Sequence, residues 1–219
     1  MICAVAAQPS PRGAILLDAA LLQATWFACV LGTAHDLTTP GLLIGTVSLG
    51  VHVFLLRDRR RSTSHGDRTS ADGRTTPSAP AVAHTARILG RILAVAAVGC
   101  LGDALLVRVG ALHLRGDAIP LLGLPGWMLV LWTAFAATYD LSLRGLRTRL
   151  RLAALLGLLG SPLSYLSAAR LGALQLGEPL ALSLALTGVV WSVSLPATLW
   201  LAARLDPART DGGDDLDGR

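Results

Sequence analysis

The chain has no lysine at all, and of its 219 residues only 15% are charged and 5% aromatic. Soluble domains carry about a quarter charged residues. With 53% hydrophobic residues and a mean hydropathy of +0.57, this chain is excluded from the ordinary soluble single-core class and from disorder. Three cysteines (Cys3, Cys29 and Cys100) are too few and too scattered for a disulfide framework or a thiolate metal site. No CxxC, HExxH, phosphate-loop or GxGxxG pattern occurs, so neither a metal nor another cofactor is expected. The acidic tail from Asp211 to Asp217 lacks the alternating ligands and closing Glu of a calcium loop and reads as solvated.

What is present is a series of long apolar runs. Six of them match the ~20 residues that cross ~30 Å of hydrocarbon. They cover residues 14–34, 41–56, 88–110, 126–143, 152–170 and 180–202, which predicts an all-α, polytopic membrane bundle of six transmembrane helices. The first run follows Arg12 and ends in the small residues Gly32-Thr33-Ala34, features it shares with a signal peptide. Its length and its internal Asp18 and Gln23 argue instead for a retained helix. The chain thus divides into a disordered stretch 1–13, spans one and two over 14–56, a disordered loop 57–86, spans three to six over 87–204, and a disordered acidic tail 205–219. The loop opens with Arg57-Asp58-Arg59-Arg60-Arg61 and continues in Ser, Thr, Gly, Asp and Pro, a composition with nothing to pack.

The basic residues are 19 arginines, giving a net charge of +5 and a pI of 10.0. In a soluble protein that balance would suggest nucleic acid. Here the arginines flank apolar runs, so they are read as orientation signals and no nucleic-acid partner is expected. If the N-terminus is cytoplasmic, sixteen arginines lie inside and three (Arg108, Arg115 and Arg170) lie outside, which places both termini in the cytoplasm.

Within the spans, small residues recur at steps of three and four. Span five carries Ala153, Gly157, Gly160, Ser161, Ser164 and Ala168, with Pro162 predicting a kink; span two carries Gly41, Gly45 and Ser48, ending at His52. Span six places Ser183, Thr187, Trp191, Ser194 and Thr198 on one face. These stripes read first as helix packing and second as a channel for substrate. Ionisable residues inside spans are costly and normally face the bundle interior. Asp18 and Asp140 lie near cytoplasmic span ends, where Asp18 suits the first turn of a helix; Asp103 lies in the outer half of span three and needs either a partner such as an Arg or a proton. His52 has no second His a turn away and reads as a packing residue rather than a ligand. Trp127 and Trp200 are explained by interfacial anchoring.

Several motifs resemble those of an uncharacterised bacterial inner-membrane protein family, domain of unknown function 2878. They are Gln23-x-x-Trp26-Phe27-x-Cys29-Val30, Gly99-x-x-x-Asp103, Pro125-x-Trp127-Met128-x-x-Leu131-Trp132-x-x-Phe135-Ala136, Gly160-Ser161-Pro162-Leu163-Ser164-Tyr165, Leu171-Gly172-Ala173 and Trp191-x-x-x-x-Pro196. The resemblance covers about residues 16–204 and leaves out the arginine loop and both tails. It implies a multi-pass helical protein of the inner membrane with no established activity, and a shared interior around Asp103, Trp132, Pro162, Ser164 and Tyr165. The family pattern has Asn where this chain has Asp18 and Asp140, which implies hydrogen bonding rather than proton transfer at those two places.

Three functions are open at this point. The first is binding or handling of a hydrophobic or lipid-like small molecule inside the bundle, with the bilayer as the other partner. The second is an intramembrane enzyme acting on a lipid or isoprenoid, with Asp103 as acid or base and Tyr165 assisting. The third is a small secondary transporter, disfavoured because no internal repeat is evident. The ligand-binding candidates are Asp18, His52, Asp103, Trp132, Asp140, Ser161, Ser164, Tyr165, Thr187 and Trp191. Oligomeric state is not legible.

Overall fold

The computed structural model describes residues 11–37, 39–51, 54 and 81–206. Its helices are α1 (Pro11–Ala34), α2 (Thr39–Val51), α3 (Ala81–Arg108), α4 (Gly126–Ala137), α5 (Leu150–Arg170) and α6 (Leu180–Arg204). Short strands lie between them: β1 (Leu112–Leu114), β2 (Ala118–Ile119), β3 (Leu124–Pro125) and β4 (Leu174–Leu176). Four stretches are long and apolar enough to cross a membrane: Gly13–Ala34, Thr85–Arg108, Leu150–Arg170 and Leu180–Arg204. Leu16, Val47, Leu101, Leu159, Leu163 and Val193 point outward from the bundle, an arrangement that suits hydrocarbon and not water.

Several boundaries differ from expectation. α1 starts at Pro11, so 11–13 are helical and Asp18 sits about two turns in rather than at the first turn. α3 starts at Ala81, so the last residues of the expected 57–86 loop are helical; 57–80 lie outside the described residues. The expected tail likewise begins inside the described fold, with Asp206 bonded to Arg147 at 3.3 Å, while 207–219 lie outside it. The predicted 126–143 span is not one helix. α4 ends at Ala137 and continues as 3₁₀ turns over Thr138–Asp140 and Arg144–Leu146. The break coincides with a contact to α1. Thr138 O accepts from Leu141 N and Leu143 N, which leaves the Ser142 N–H to donate to Asp18 Oδ2 at 3.0 Å. Asp140 is meanwhile turned toward Arg91 and Arg147.

The chain does contain an internal repeat. Arg108-x-Gly110-Ala111-Leu112-x-Leu114 returns as Arg170-x-Gly172-Ala173-Leu174-x-Leu176. Both copies end a helix in the same way. Gly110 (φ 75°) and Gly172 (φ 89°) take the left-handed conformation, which only glycine adopts without strain. Ala111 N then bonds Leu106 O at 2.9 Å, and Ala173 N bonds Ala168 O at 3.0 Å, closing a Schellman cap in each copy. The strands that follow pair antiparallel, with Leu112 opposite Leu176, His113 opposite Gln175 and Leu114 opposite Leu174. Because His113 and Gln175 are equivalent positions, a local two-fold axis passes between them. It relates the end of α3 and β1 to the end of α5 and β4.

Packing follows small residues. α5 and α6 are the most extensively packed pair. A Cβ at Gly157 would lie 2.7 Å from the carbonyl carbon of Trp191, and one at Gly188 would lie 2.8 Å from Leu158 O, so the two backbones meet at both glycines. α2 uses Gly41 against the backbone of Cys29 and Gly45 against Val130. Gly99 admits the ring of Trp132 against α3. Gly160 departs from expectation: no atom lies within 4 Å of a Cβ built there. The stripe on α5 therefore splits, one side pressing on α6 and the other lining a cavity.

Candidate functional site

Asp103 is the natural starting point, because a carboxyl at 1% exposure between apolar helices must find donors. It finds two. Tyr165 donates its hydroxyl to Oδ1, and Trp132 Nε1 donates to Oδ2 at 2.7 Å. Trp191 Nε1 donates in turn to the Tyr165 oxygen at 3.2 Å. No arginine takes part, contrary to one of the two expectations for Asp103. Asp103 and Tyr165 stand 62 positions apart, the same interval that separates Gly110 from Gly172. Each therefore stands five residues before the arginine that opens its copy of the repeat. Asp103 accepts from Trp132 on α4 and Tyr165 from Trp191 on α6, and those two rings stack at 4.9 Å with 23° between their planes. Phe135 closes edge-on against both rings.

Beside this cluster lies a cavity of about 290 Å³. α1 contributes Leu22, Gln23, Trp26 and Val30; α4 contributes Trp127, Met128, Leu131, Trp132 and Phe135. α5 contributes Leu156, Gly157, Gly160, Ser161, Ser164, Tyr165 and Ala168, with Asp103, Leu174, Trp191 and Leu195 completing the wall. α1 packs on α4 and α5 packs on α6, with no extended contact joining α1 to α5. Gln23, Gly160 and Ser164 are exposed along that gap, so the cavity is open sideways between α1 and α5. Ser161 Oγ lies in the wall, buried and without a hydrogen-bond partner among the described residues.

The sequence candidates thus fall into groups. Asp103, Trp132, Ser161, Ser164, Tyr165 and Trp191 are brought together at the cavity. Thr187 is fully buried in α6 with its hydroxyl on Leu184 O at 2.8 Å, and is not in the wall. Asp18 and Asp140 lie at the far end of the bundle. Asp18 binds the Ser142 backbone and hydroxyl, in keeping with a hydrogen-bonding role. Asp140 is ionic instead: Arg91 bonds it through both guanidinium nitrogens, Nη1 at 2.7 Å, and Arg147 bonds it as well. Burial pushes the Arg147 guanidinium below its ordinary value, and Asp206 pulls it back up. His52 lies outside the described residues.

Sequence reasoning missed Trp127, Trp26 and Gln23 as wall residues. Trp127 is not an interfacial anchor but is buried, with Nε1 donating to Arg115 O at 2.8 Å. Trp200 does sit half exposed with the Arg204 guanidinium 5.0 Å above its ring. The motifs Gln23-x-x-Trp26 and Pro125-x-Trp127 were the available signals.

The donor chain makes a measurable claim. Tyr165→Phe removes one donor to a buried carboxyl and is expected to cost about 1–3 kcal/mol, because the group left behind is desolvated. Adding Asp103→Asn should cost less than the sum of the two single changes, by about 1 kcal/mol. Unfolding of the four proteins in one detergent checks this; strict additivity would mean that the bond is not made.

No curated protein and no solved structure matches the chain. The model of the family described as "Protein of unknown function (DUF2878)" matches residues 75–197, from before α3 into α6, and so takes in both repeats and the Asp103–Tyr165 pair. The chain belongs to that family.

Proposed function

We propose that this is a six-span protein of the bacterial inner membrane, with both termini in the cytoplasm, that binds a hydrophobic, lipid-like molecule in the cavity between α1 and α5. The excess of arginine on one side of the spans supports the orientation. Contacts between the described helix ends support the alternation. Arg115 reaches Asp36 (3.1 Å), Ala34 O and Gly172 O at one end, while Ser142 reaches Ile15 O (3.1 Å) at the other.

The observation that carries the ligand reading is the sideways opening of an aromatic-walled cavity onto a surface that suits hydrocarbon. Cavities of this kind, mostly apolar with a few convergent polar groups, are the usual form of small-molecule sites. An enzyme using Asp103 as acid or base has less support, since both carboxyl oxygens already accept bonds from Tyr165 and Trp132.

Native mass spectrometry of the purified protein tests the reading. Wild type should carry a bound amphiphile that survives delipidation, and Gly160→Leu, which fills the cavity where no atom opposes a new side chain, should lose it. Equal retention by both proteins would overturn the proposal.

A further inference from the structure

The buried polar groups of the cavity wall, Asp103, Ser161 and Tyr165, lie toward one end of it, while Gln23 and Ser164 are exposed along the opening. Asp103 and Tyr165 lie five residues from the outer ends of α3 and α5, about 8 Å in from Arg108 and Arg170. Ser161 lies one turn further in, and below it the wall is Leu22, Phe135, Leu156 and Leu195, with Gln23 exposed at the opening. Along α5 the distance from Tyr165 to Leu156 is about 14 Å. A polar pole at one end of an apolar slot is the shape of a single-chain amphiphile.

The chemistry of the pole narrows the head. Its strongest acceptor is the Asp103 carboxyl, and no Arg, Lys or His stands among the wall residues. An anionic head, whether phosphate, sulfate or carboxylate, would enter a low-dielectric gap whose wall offers no cation to offset its charge. A head that donates hydrogen bonds meets the lone pairs that Asp103 keeps beyond Tyr165 and Trp132, and the Ser161 hydroxyl, which has no partner among the described residues. If the head is an ammonium, the Trp26 ring in the wall adds attraction for the cation.

Resting on the ligand-binding reading above, we infer that the cavity takes a single-chain amphiphile whose head donates hydrogen bonds and carries no negative charge. That is a long-chain alcohol or amine, held head-up at Asp103 and Ser161 with its chain running toward Leu156 and Leu195.

The test uses the full-length protein in nanodiscs and three probes sharing one terminally brominated dodecyl chain: the alcohol, the ammonium and the sulfate. Bromine quenches tryptophan fluorescence, and a tail seated near Leu195 and Phe135 lies beside Trp191 and Trp132. The difference in quenching between wild type and the cavity-filling variants Gly160→Leu and Ser164→Leu isolates the cavity from the lipid annulus. Two variants are used so that misfolding of one leaves the comparison intact. The alcohol and the ammonium should give cavity-dependent quenching at concentrations at least about tenfold below the sulfate. Asp103→Asn should weaken the ammonium by about tenfold and the alcohol by less than about threefold. Cavity-dependent quenching by the sulfate at the same concentration as the alcohol would overturn the assignment of the head while leaving a ligand site standing. No difference between wild type and either filled variant, with any probe, would overturn the ligand site itself.

Discussion

Gly157→Leu is expected to leave little folded protein. The Cβ alone would lie 2.7 Å from the Trp191 carbonyl carbon and 3.1 Å from Ser192 N. Both are backbone atoms of α6, so no rotamer change relieves the clash. The helices must separate, and small residues at membrane helix interfaces exist to prevent that separation. Overpacking by one or two methyl groups in a tight core costs about 1–3 kcal/mol, which sets the expectation for Gly157→Ala; Leu should exceed it. Separation would also draw Trp191 away from the Tyr165 oxygen, 3.2 Å distant, and loosen the donor chain on Asp103. Gly160→Leu, one turn along the same helix, should fold with stability equal to or slightly above wild type. Its position opposes no atom within 4 Å, and replacing an interior helical glycine is worth up to about 1 kcal/mol. Size-exclusion profiles and thermal unfolding of the two variants in one detergent make the comparison. Equal behaviour would show that α5 and α6 do not meet at Gly157.

The second large effect lies at the opposite end. Asp140→Ala is expected to destabilise the protein by about 3–5 kcal/mol, because it removes the carboxylate on which two largely buried guanidinium groups converge. The Arg91 side chain is 6% exposed and that of Arg147 is 12% exposed, and both converge on this one carboxylate. Asp206, at 3.3 Å from Arg147, is the acceptor available to offset part of the loss on that side. Asp140→Asn should cost markedly less, since an amide oxygen still accepts from one guanidinium. Removing Arg91 together with Asp140 should recover part of the single-variant loss, because the buried charge on α3 leaves with its carboxylate. Denaturation of the three variants reads this directly. Indifference to Asp140→Ala would mean that water, not Asp140, solvates the two arginines.

How far the sequence reached depended on whether the governing interaction is local. Length and apolarity alone decide α1, α3, α5 and α6, since a span of ~30 Å needs ~20 apolar residues whatever the rest of the chain does. The end of α4 at Ala137 could not be read in that way. Nothing between Thr138 and Ser142 is a helix breaker, and the break coincides with Asp18, more than a hundred residues earlier, accepting the Ser142 N–H. At the site, equal depth in two spans allowed Asp103 and Tyr165 to meet, and the fold makes them partners. Gly157 and Gly160 were not separable, because residues three positions apart share one helix face and only the neighbours decide which of them is crowded. The repeat of Gly110-Ala111-Leu112 in Gly172-Ala173-Leu174 was visible in the letters; it went unread because the helices after the two copies follow connections of different length.

The most direct measurement of the central claim is an experimental map of the protein in a lipid nanodisc at side-chain resolution. The account predicts elongated density between α1 and α5 that ends against Asp103, Ser161 and Tyr165 and reaches down past Gly160. A map in which α1 lies packed on α5, with Gly160 and Ser164 buried in that contact and no room between the helices, would contradict it.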